Sequence, residues 1–109
     1  MTDDGGESPV LRDVLVGLSQ LPRAFVWRNS TGRLPAAYGR WVSFGLGGSG
    51  DIIGCIDGRA VSVECKRPKG GVTSEQQQRF ARAWRKAGGI YVRARSLEEA
   101  LEGLRDGIA

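Results

Sequence analysis

The feature that most constrains this chain is a pair of apolar segments separated by Asp57-Gly58. The segments run over 51–56 and 59–66, and both are rich in the β-branched residues that favour strands. An Asp-Gly pair between two such segments is a strong signal for a tight hairpin turn. The sequence therefore predicts two antiparallel strands, in which the start of the first lies beside the end of the second.

Helices and further strands are predicted around this hairpin. Ser8-Pro9 is typical of a helix start, and apolar residues at helical spacing follow it as far as Leu21-Pro22. Ser74 with Gln77 forms a capping box for a second helix, which Gly88-Gly89 ends. Short strands are predicted at 24–28 and 90–92, a further strand candidate lies at 41–44, and a last helix follows Ser96. We predict an α/β (α+β) domain with a mixed sheet flanked by helices, in the order α-β-β-β-α-β-α.

The length of 109 residues suits one small domain. We expect residues 1–7 to form a flexible tail and residues 8–109 a single domain. No apolar segment approaches the roughly 20 residues of a membrane span. The first residues are acidic and poor in apolar side chains, unlike a secretory signal. We therefore expect a cytoplasmic protein with no membrane partner.

The absence of histidine excludes much chemistry. With two cysteines and no histidine, the chain cannot assemble an ordinary Cys/His zinc site or a nucleophile paired with histidine. Any metal would have to be a hard cation held by oxygen, such as magnesium, manganese or calcium. Cys55 and Cys65 lie in apolar strand-like segments, so we expect both to be buried.

The positive charge is concentrated in the middle of the chain. Between Arg23 and Arg95 there are fourteen basic and four acidic residues, although the whole chain carries only +4. Such a basic centre favours a polyanionic partner, most simply a nucleic acid.

The segment 45–50 matches the G-x-G-x-x-G pattern of dinucleotide-binding proteins. That pattern requires a helix after it, whereas a predicted strand follows here. We therefore expect no nucleotide cofactor, and predict a tight bend that lets the backbone approach the strand closely.

Three polar residues of the hairpin form the most informative pattern. Glu64 and Lys66 are two apart in a strand and share a face, and the hairpin brings Asp51 beside them. Two adjacent carboxylates are unfavourable unless a cation lies between them. With a divalent metal they form a site suited to a phosphodiester, where Lys66 can orient water or stabilise developing charge. The sequence thus favours a metal-dependent nuclease.

Several segments together resemble the VRR-NUC family of the PD-(D/E)XK nuclease superfamily. The resemblance is strongest to its small, stand-alone members in phages and prophages, and covers the chain from Glu7 to about Leu104. The matching segments are 27–32 (WRNSTG), 48–54 (GSGDIIG), 64–67 (ECKR), 73–77 (TSEQQ) and 87–89 (AGG). Many members read G-S-P-D where this chain has Gly50 before Asp51, a change we expect to loosen the approach to that carboxylate.

The resemblance implies the PD-(D/E)XK restriction-endonuclease-like core and a Mg²⁺- or Mn²⁺-dependent DNA endonuclease of the bacterial cytoplasm. Such enzymes are often homodimers that cut branched DNA such as Holliday junctions. Asp51 and Glu64 match the metal ligands, joined by the backbone carbonyl of Cys65, and Lys66 matches the catalytic lysine. Glu7 matches a glutamate at the start of the first helix. Either Gln76 or Gln77 matches the glutamine of the next helix, and we favour Gln77 as the capping-box residue.

DNA contacts and a dimer interface are also predicted. We expect the phosphate-binding residues to lie in loops and strand ends near the site, at Arg28, Asn29, Arg33, Arg40, Arg67 and Lys69. Arg79, Arg82 and Lys86 should form a solvated helix face. Aromatic residues clustered between 24 and 47 favour a homodimer interface over 33–47. Two alternatives remain: a non-catalytic basic DNA-binding module on the same fold, and a protein whose basic helix binds an acidic partner.

Overall fold

The computed structural model describes residues 8–67 and 69–108. The predicted tail at 1–7, with Glu7, lies outside the described residues. These residues form three α-helices and six β-strands. In chain order these are α1 Pro9–Ser19, β1 Ala24–Arg28, β2 Gly32–Pro35, β3 Trp41–Phe44, β4 Ile52–Ile56, β5 Arg59–Cys65, α2 Glu75–Lys86, β6 Ile90–Ala94 and α3 Leu97–Ile108. The predicted mixed α/β class is confirmed.

A four-stranded mixed sheet has the order β1-β4-β5-β6. β1, β4 and β5 are antiparallel neighbours, whereas β6 runs parallel to β5 after the crossover through α2. Asp57 and Gly58 both have positive φ, 52° and 79°, as a type I′ turn requires. The turn fixes the register of the hairpin, so that Ile52 pairs with Val63.

The hydrophobic core lies between one face of this sheet and the helices α1 and α3. Alternate strand residues point into it, including Val61, Val63 and Val92, and meet Leu18 and Leu104 from the helices. The N-cap of α1 is satisfied by Ser8, whose hydroxyl accepts from the amide of Leu11 at 3.0 Å. α2 packs on the opposite face, where the Phe80 ring lies 5.8 Å from that of Tyr91.

That opposite face is uncovered along β1 and β4, which corrects one prediction. Cys55 is exposed, and only Cys65 is partly buried. Cys55 pairs with Phe25, which is 76% exposed, on the side of the sheet away from α1 and α3. The prediction that both cysteines are buried was therefore wrong, because none of the helices in the described residues covers this part of the sheet.

A second sheet of two antiparallel strands, β2 and β3, was only half predicted. The expected strand at 41–44 is present, but Gly32–Pro35 forms its partner and was missed. All residues of both strands are exposed, so burial imposes no alternating pattern that the sequence could reveal. These strands, with the intervening 3₁₀ turn Ala37–Gly39, are called the aromatic hairpin below.

No helix within residues 8–67 and 69–108 has the length and apolar character needed to cross a membrane.

Candidate functional site

One end of the four-stranded sheet collects most of the predicted site residues. β4 begins there, while β1, β5 and β6 end there, because β4 is antiparallel to its neighbours and β6 is parallel to β5. Asp51 precedes β4, and Glu64 lies near the end of β5. The first turn of α2, with Gln77, reaches the same end.

Lys66 connects these elements. Its Nζ lies 3.6 Å from Glu64 Oε2, and the two side chains are only 13% and 10% exposed. The same ammonium donates to Gln77 Oε1 at 3.2 Å and to the carbonyl of Val72 at 3.3 Å. Asp51, Glu64, Lys66 and Gln77 are called the carboxylate cluster below.

Gln77 has two roles in this arrangement. Its Oε1 accepts from the amide of Ser74 at 3.1 Å and so closes the capping box of α2, while it also accepts from Lys66. Gln76 instead lies against Gly47 and Gly48, on the side of the aromatic hairpin. Of the two glutamines, the fold therefore brings Gln77 to the lysine.

Asp51 is fixed from both neighbouring strands. Its Oδ2 accepts from the amide of Cys65 at 2.8 Å, and its backbone carbonyl accepts from the amide of Asn29 at 2.7 Å. The carboxylate is thereby held at the end of β5, beside the carboxyl group of Glu64.

The loop before Asp51 is held just as firmly. The amide of Gly50 donates to the buried hydroxyl of Ser62 at 2.9 Å, and Asn29 Nδ2 donates to Ser49 Oγ and to the carbonyl of Gly50, both at 2.8 Å. A Cβ at Gly50 would lie 2.6 Å from both Ser62 Oγ and the carbonyl oxygen of Val63. The expectation that Gly50 loosens the approach to Asp51 was therefore wrong.

Burial raises the pKa of both carboxyl groups. Desolvation, followed by the nearby charge of Asp51, raises the pKa of Glu64 to about 7. Desolvation also raises the pKa of Asp51, although the Cys65 amide and then the charge of Lys66 oppose it. The pKa of the Cys65 thiol rises to about 12, mainly through burial and then through the same two carboxylates. Without a cation, the pair thus favours retaining a proton near neutral pH.

The donor set fits a hard divalent cation. Two adjacent carboxylates that resist joint ionisation gain from a cation between them, and Mg²⁺ commonly takes one or two carboxylates and completes its shell with water and substrate phosphate. In the part of the chain that the structure describes, no group of three or more His, Cys, Asp or Glu residues is placed to hold a metal. A cation would therefore rest on Asp51 and Glu64, with the predicted Cys65 carbonyl.

The predicted DNA-binding residues separate into two groups. The charge of Arg28 is close enough to lower the pKa of Asp51, and Arg67 and Lys69 follow the end of β5. Arg33 and Arg40 instead belong to the aromatic hairpin, where the Arg33 guanidinium lies 5.1 Å from the centre of the Trp41 ring. The side-chain amide of Asn29 donates its two hydrogen bonds to Ser49 and Gly50, within the chain. This residue therefore positions the loop before Asp51.

Two residues that support the site were missed from the sequence. Ser62 is fully buried, and its hydroxyl accepts a hydrogen bond from the amide of Gly50. Its signal in the sequence is a small polar residue between Val61 and Val63. Arg95 donates to the carbonyls of Arg67 and Gly70, at 2.6 and 2.7 Å, and so supports the loop after β5. Nothing in the local sequence of Arg95 indicates that contact.

Comparison of the chain with protein-family models, with curated proteins and with solved structures gives no significant match.

Proposed function

We propose that this chain is a metal-dependent DNA endonuclease that hydrolyses phosphodiester bonds. The observation that supports this proposal is the carboxylate cluster itself: two adjacent acids, one lysine and one glutamine, brought together from three segments of the chain. Glu64 is buried and Asp51 is partly buried. Such an acid pair beside a lysine is costly to retain for stability alone, and perturbed carboxyl pKa values of this kind concentrate at reactive sites.

Each member of the cluster has a distinct part in the proposed reaction. Asp51 and Glu64 would hold Mg²⁺ or Mn²⁺, with the Cys65 carbonyl. When bound, that ion would polarise a phosphoryl oxygen and make a bound water more acidic. Lys66, which has contacts to both Glu64 and Gln77, would donate a hydrogen bond to the attacking water or to the phosphate. Gln77 keeps the Lys66 ammonium at the site.

DNA is the substrate that the charge distribution favours. The basic excess between Arg23 and Arg95 supplies a sequence-independent attraction for phosphates. The charge of Arg28 lowers the pKa of Asp51, and Arg67 and Lys69 follow Lys66 closely in the chain, so we propose that these three residues bind phosphates close to the scissile bond. The resemblance to VRR-NUC proteins extends the proposal to the PD-(D/E)XK core and to branched DNA, including four-way junctions.

Cleavage of three labelled substrates tests the proposal: a four-way junction, a linear duplex and a single strand, each with Mg²⁺, Mn²⁺, Ca²⁺ or EDTA. We expect cleavage of the junction with Mg²⁺ or Mn²⁺, little with Ca²⁺ and none with EDTA. Asp51→Ala and Glu64→Ala should each lose both metal binding by calorimetry and cleavage. Glu102→Ala is the matched control, because that carboxylate is exposed on α3.

Binding of the junction without cleavage under every metal condition would contradict the proposal. It would support the alternative of a non-catalytic basic module. Unchanged metal affinity in both cluster variants would place the metal elsewhere.

We also propose a homodimer formed through the aromatic hairpin. Leu34, Trp41 and Val42 are 58%, 59% and 52% exposed, an unusual concentration of apolar surface for a small domain. A two-fold dimer would provide two active sites for the two strands cut in a junction.

Light scattering should give about twice the monomer mass of 11.7 kDa. Trp41→Ser should reduce that mass, whereas Val16→Ser, at an equally exposed position on α1, should not.

A further inference from the structure

A cavity of about 330 Å³ lies between α2 and β6, beside the carboxylate cluster. It is called the arginine cavity below, after the residues that define it: Arg82, Arg85, Arg93, Tyr91, Thr73 and Gln77. Gln77 belongs to both places, because it lines the cavity and accepts a hydrogen bond from Lys66. The two sites are therefore neighbours.

The charge in this cavity is of one sign. Three guanidinium groups line it with no carboxylate among the lining residues, and none of the three forms an ion pair within residues 8–67 and 69–108. Arg85 is fixed in place, because its Nη2 donates to the carbonyl of Tyr91 at 2.9 Å. Three guanidinium groups around one cavity repel one another, and a bound anion would relieve that repulsion.

Two hydroxyl groups of the cavity residues have no hydrogen-bond partner among the described residues. Tyr91 is only 5% exposed, and its hydroxyl is buried, as is the hydroxyl of Thr73. Buried hydroxyls are normally paired, and leaving one unpaired costs free energy. A ligand with several acceptor oxygens and negative charge would satisfy both hydroxyls and the arginines, which is the description of a phosphate group.

We propose that the arginine cavity binds a backbone phosphate of the DNA strand that lies across the carboxylate cluster. This inference rests on the proposed nuclease function and names a second contact of the same substrate. Glu64 and Arg93 are paired in register across β5 and β6, about 4.8 Å apart as neighbouring strands are. A strand whose scissile phosphate lies at Glu64 therefore passes the cavity. Arg82 is then a binding residue, rather than part of the solvated helix face expected from the sequence.

Salt-dependent DNA binding is the first arm of the test. Affinity for a labelled duplex or junction would be measured in EDTA over a range of salt concentrations, so that cleavage plays no part. Arg82→Gln and Arg93→Gln should each reduce the log–log salt slope by about one unit, as loss of one phosphate contact does. Arg79→Gln is the matched control, because it removes the same charge from α2 at a residue paired with Glu75.

Inorganic phosphate is the probe for the second arm. Titrated into the free protein, it should shift the NMR signals of the Gln77 side-chain amide and of the arginine Nε groups, and Arg93→Gln should abolish these shifts. Tyr91→Phe keeps the ring beside Phe80 and removes only the hydroxyl. It should weaken both phosphate and DNA binding several-fold.

The two arms separate the possible outcomes. If Arg82→Gln and Arg93→Gln match Arg79→Gln in DNA binding, the proposal is wrong. Phosphate shifts at the cavity would then indicate a free phosphate compound as its ligand. A wild-type protein that binds DNA with the expected arginine dependence but never cuts it would overturn the nuclease function while supporting the cavity as a phosphate site.

Discussion

The two β-hairpins of this protein differ in what they bury. In β5 the consecutive residues Val61, Ser62, Val63 and Glu64 are all buried, so both faces of that strand are covered. In the aromatic hairpin every strand residue is exposed, although several are apolar. Polar groups are thus enclosed in one hairpin and apolar groups are exposed in the other.

Each departure from the usual pattern has a physical cost, and each marks a surface with a proposed function. The buried polar groups of β5 are retained because each has a partner, either a hydrogen bond or a charge in the carboxylate cluster. The exposed apolar groups of the aromatic hairpin have no such compensation within the described chain. The comparison predicts that changes near β5 affect folding strongly, and that similar changes in the aromatic hairpin do not.

The largest difference in stability between the two regions should come from a Cβ added at a glycine. Gly50→Ala places a Cβ against the backbone of Val63 and should destabilise the protein by about 2 kcal/mol. Gly50→Pro also removes the amide that donates a hydrogen bond to Ser62, so its total destabilisation should be about 4 kcal/mol. Gly32→Ala in β2 meets only the exposed tip of the Phe44 ring, so its cost should stay below about 1 kcal/mol. Urea unfolding measures all three, and equal losses for both alanine variants would break the comparison.

The buried carboxyl group of Glu64 should make the metal-free protein less stable at higher pH. The pKa of Glu64 is about 7 in the folded state, above its usual value of 4.5. The associated stability is fully present below pH 4.5 and is lost as the pH rises to about 7, by up to about 3 kcal/mol. Urea unfolding between pH 4.5 and 8 in EDTA should show this loss.

Two variants sharpen that measurement. Glu64→Gln should flatten the pH profile, because the titrating group is removed. Glu75→Gln, at an exposed position in α2, should leave it unchanged. A wild-type protein whose stability rises over the same range would show that Glu64 is not held in a desolvated site.

A matched pair of valines compares the two hairpins directly. Val63 is fully buried and Val42 is 52% exposed, although both lie in strands. Val63→Ala should cost about 2 kcal/mol, since it removes two methyl groups from a packed interior. Val42→Ala, made in the Trp41→Ser protein so that the proposed dimer plays no part, should change the unfolding free energy by less than about 0.5 kcal/mol. A large cost at Val42 in that background would mean that the aromatic hairpin packs against the rest of its own chain.

The smallest expected effect concerns the two cysteines. It is a difference in the rate at which their thiols are labelled, and not a difference in stability. Cys55 is exposed, whereas burial and two carboxylates raise the pKa of Cys65 to about 12. Iodoacetamide at pH 8 without metal should therefore modify one thiol per chain, and Cys55→Ser should prevent that modification. Mass spectrometry showing rapid labelling at Cys65 would contradict the burial assigned to the end of β5.

Local signals in the sequence were sufficient for the elements that build the site. The turn at Asp57-Gly58 and the capping box of Ser74 with Gln77 each depend on residues close in sequence, and both are present. The hairpin turn brings Asp51, Glu64 and Lys66 together, because it fixes the register in which β4 and β5 pair.

Features that depend on packing between distant segments were not predictable in the same way. The close approach of Gly50 to Ser62 follows from the exact register of β4 and β5 and from the course of the preceding loop. The exposure of Cys55 arises because α1, α2 and α3 all pack elsewhere and leave this face of β1 and β4 open. β2 has neither buried side chains nor an apolar alternation, so its sequence carries no strand signal.

Cleavage by Lys66→Met tests the central claim most directly. Methionine keeps an unbranched apolar stem and removes the ammonium that contacts Glu64 and Gln77. With Mg²⁺ or Mn²⁺ and a four-way junction, we expect loss of cleavage by at least about 100-fold, the usual contribution of a group that positions or transfers a proton. Folding and junction binding in EDTA should be unchanged. Wild-type cleavage rates in the Lys66→Met protein would contradict the account, because the carboxylate cluster would then act without its lysine.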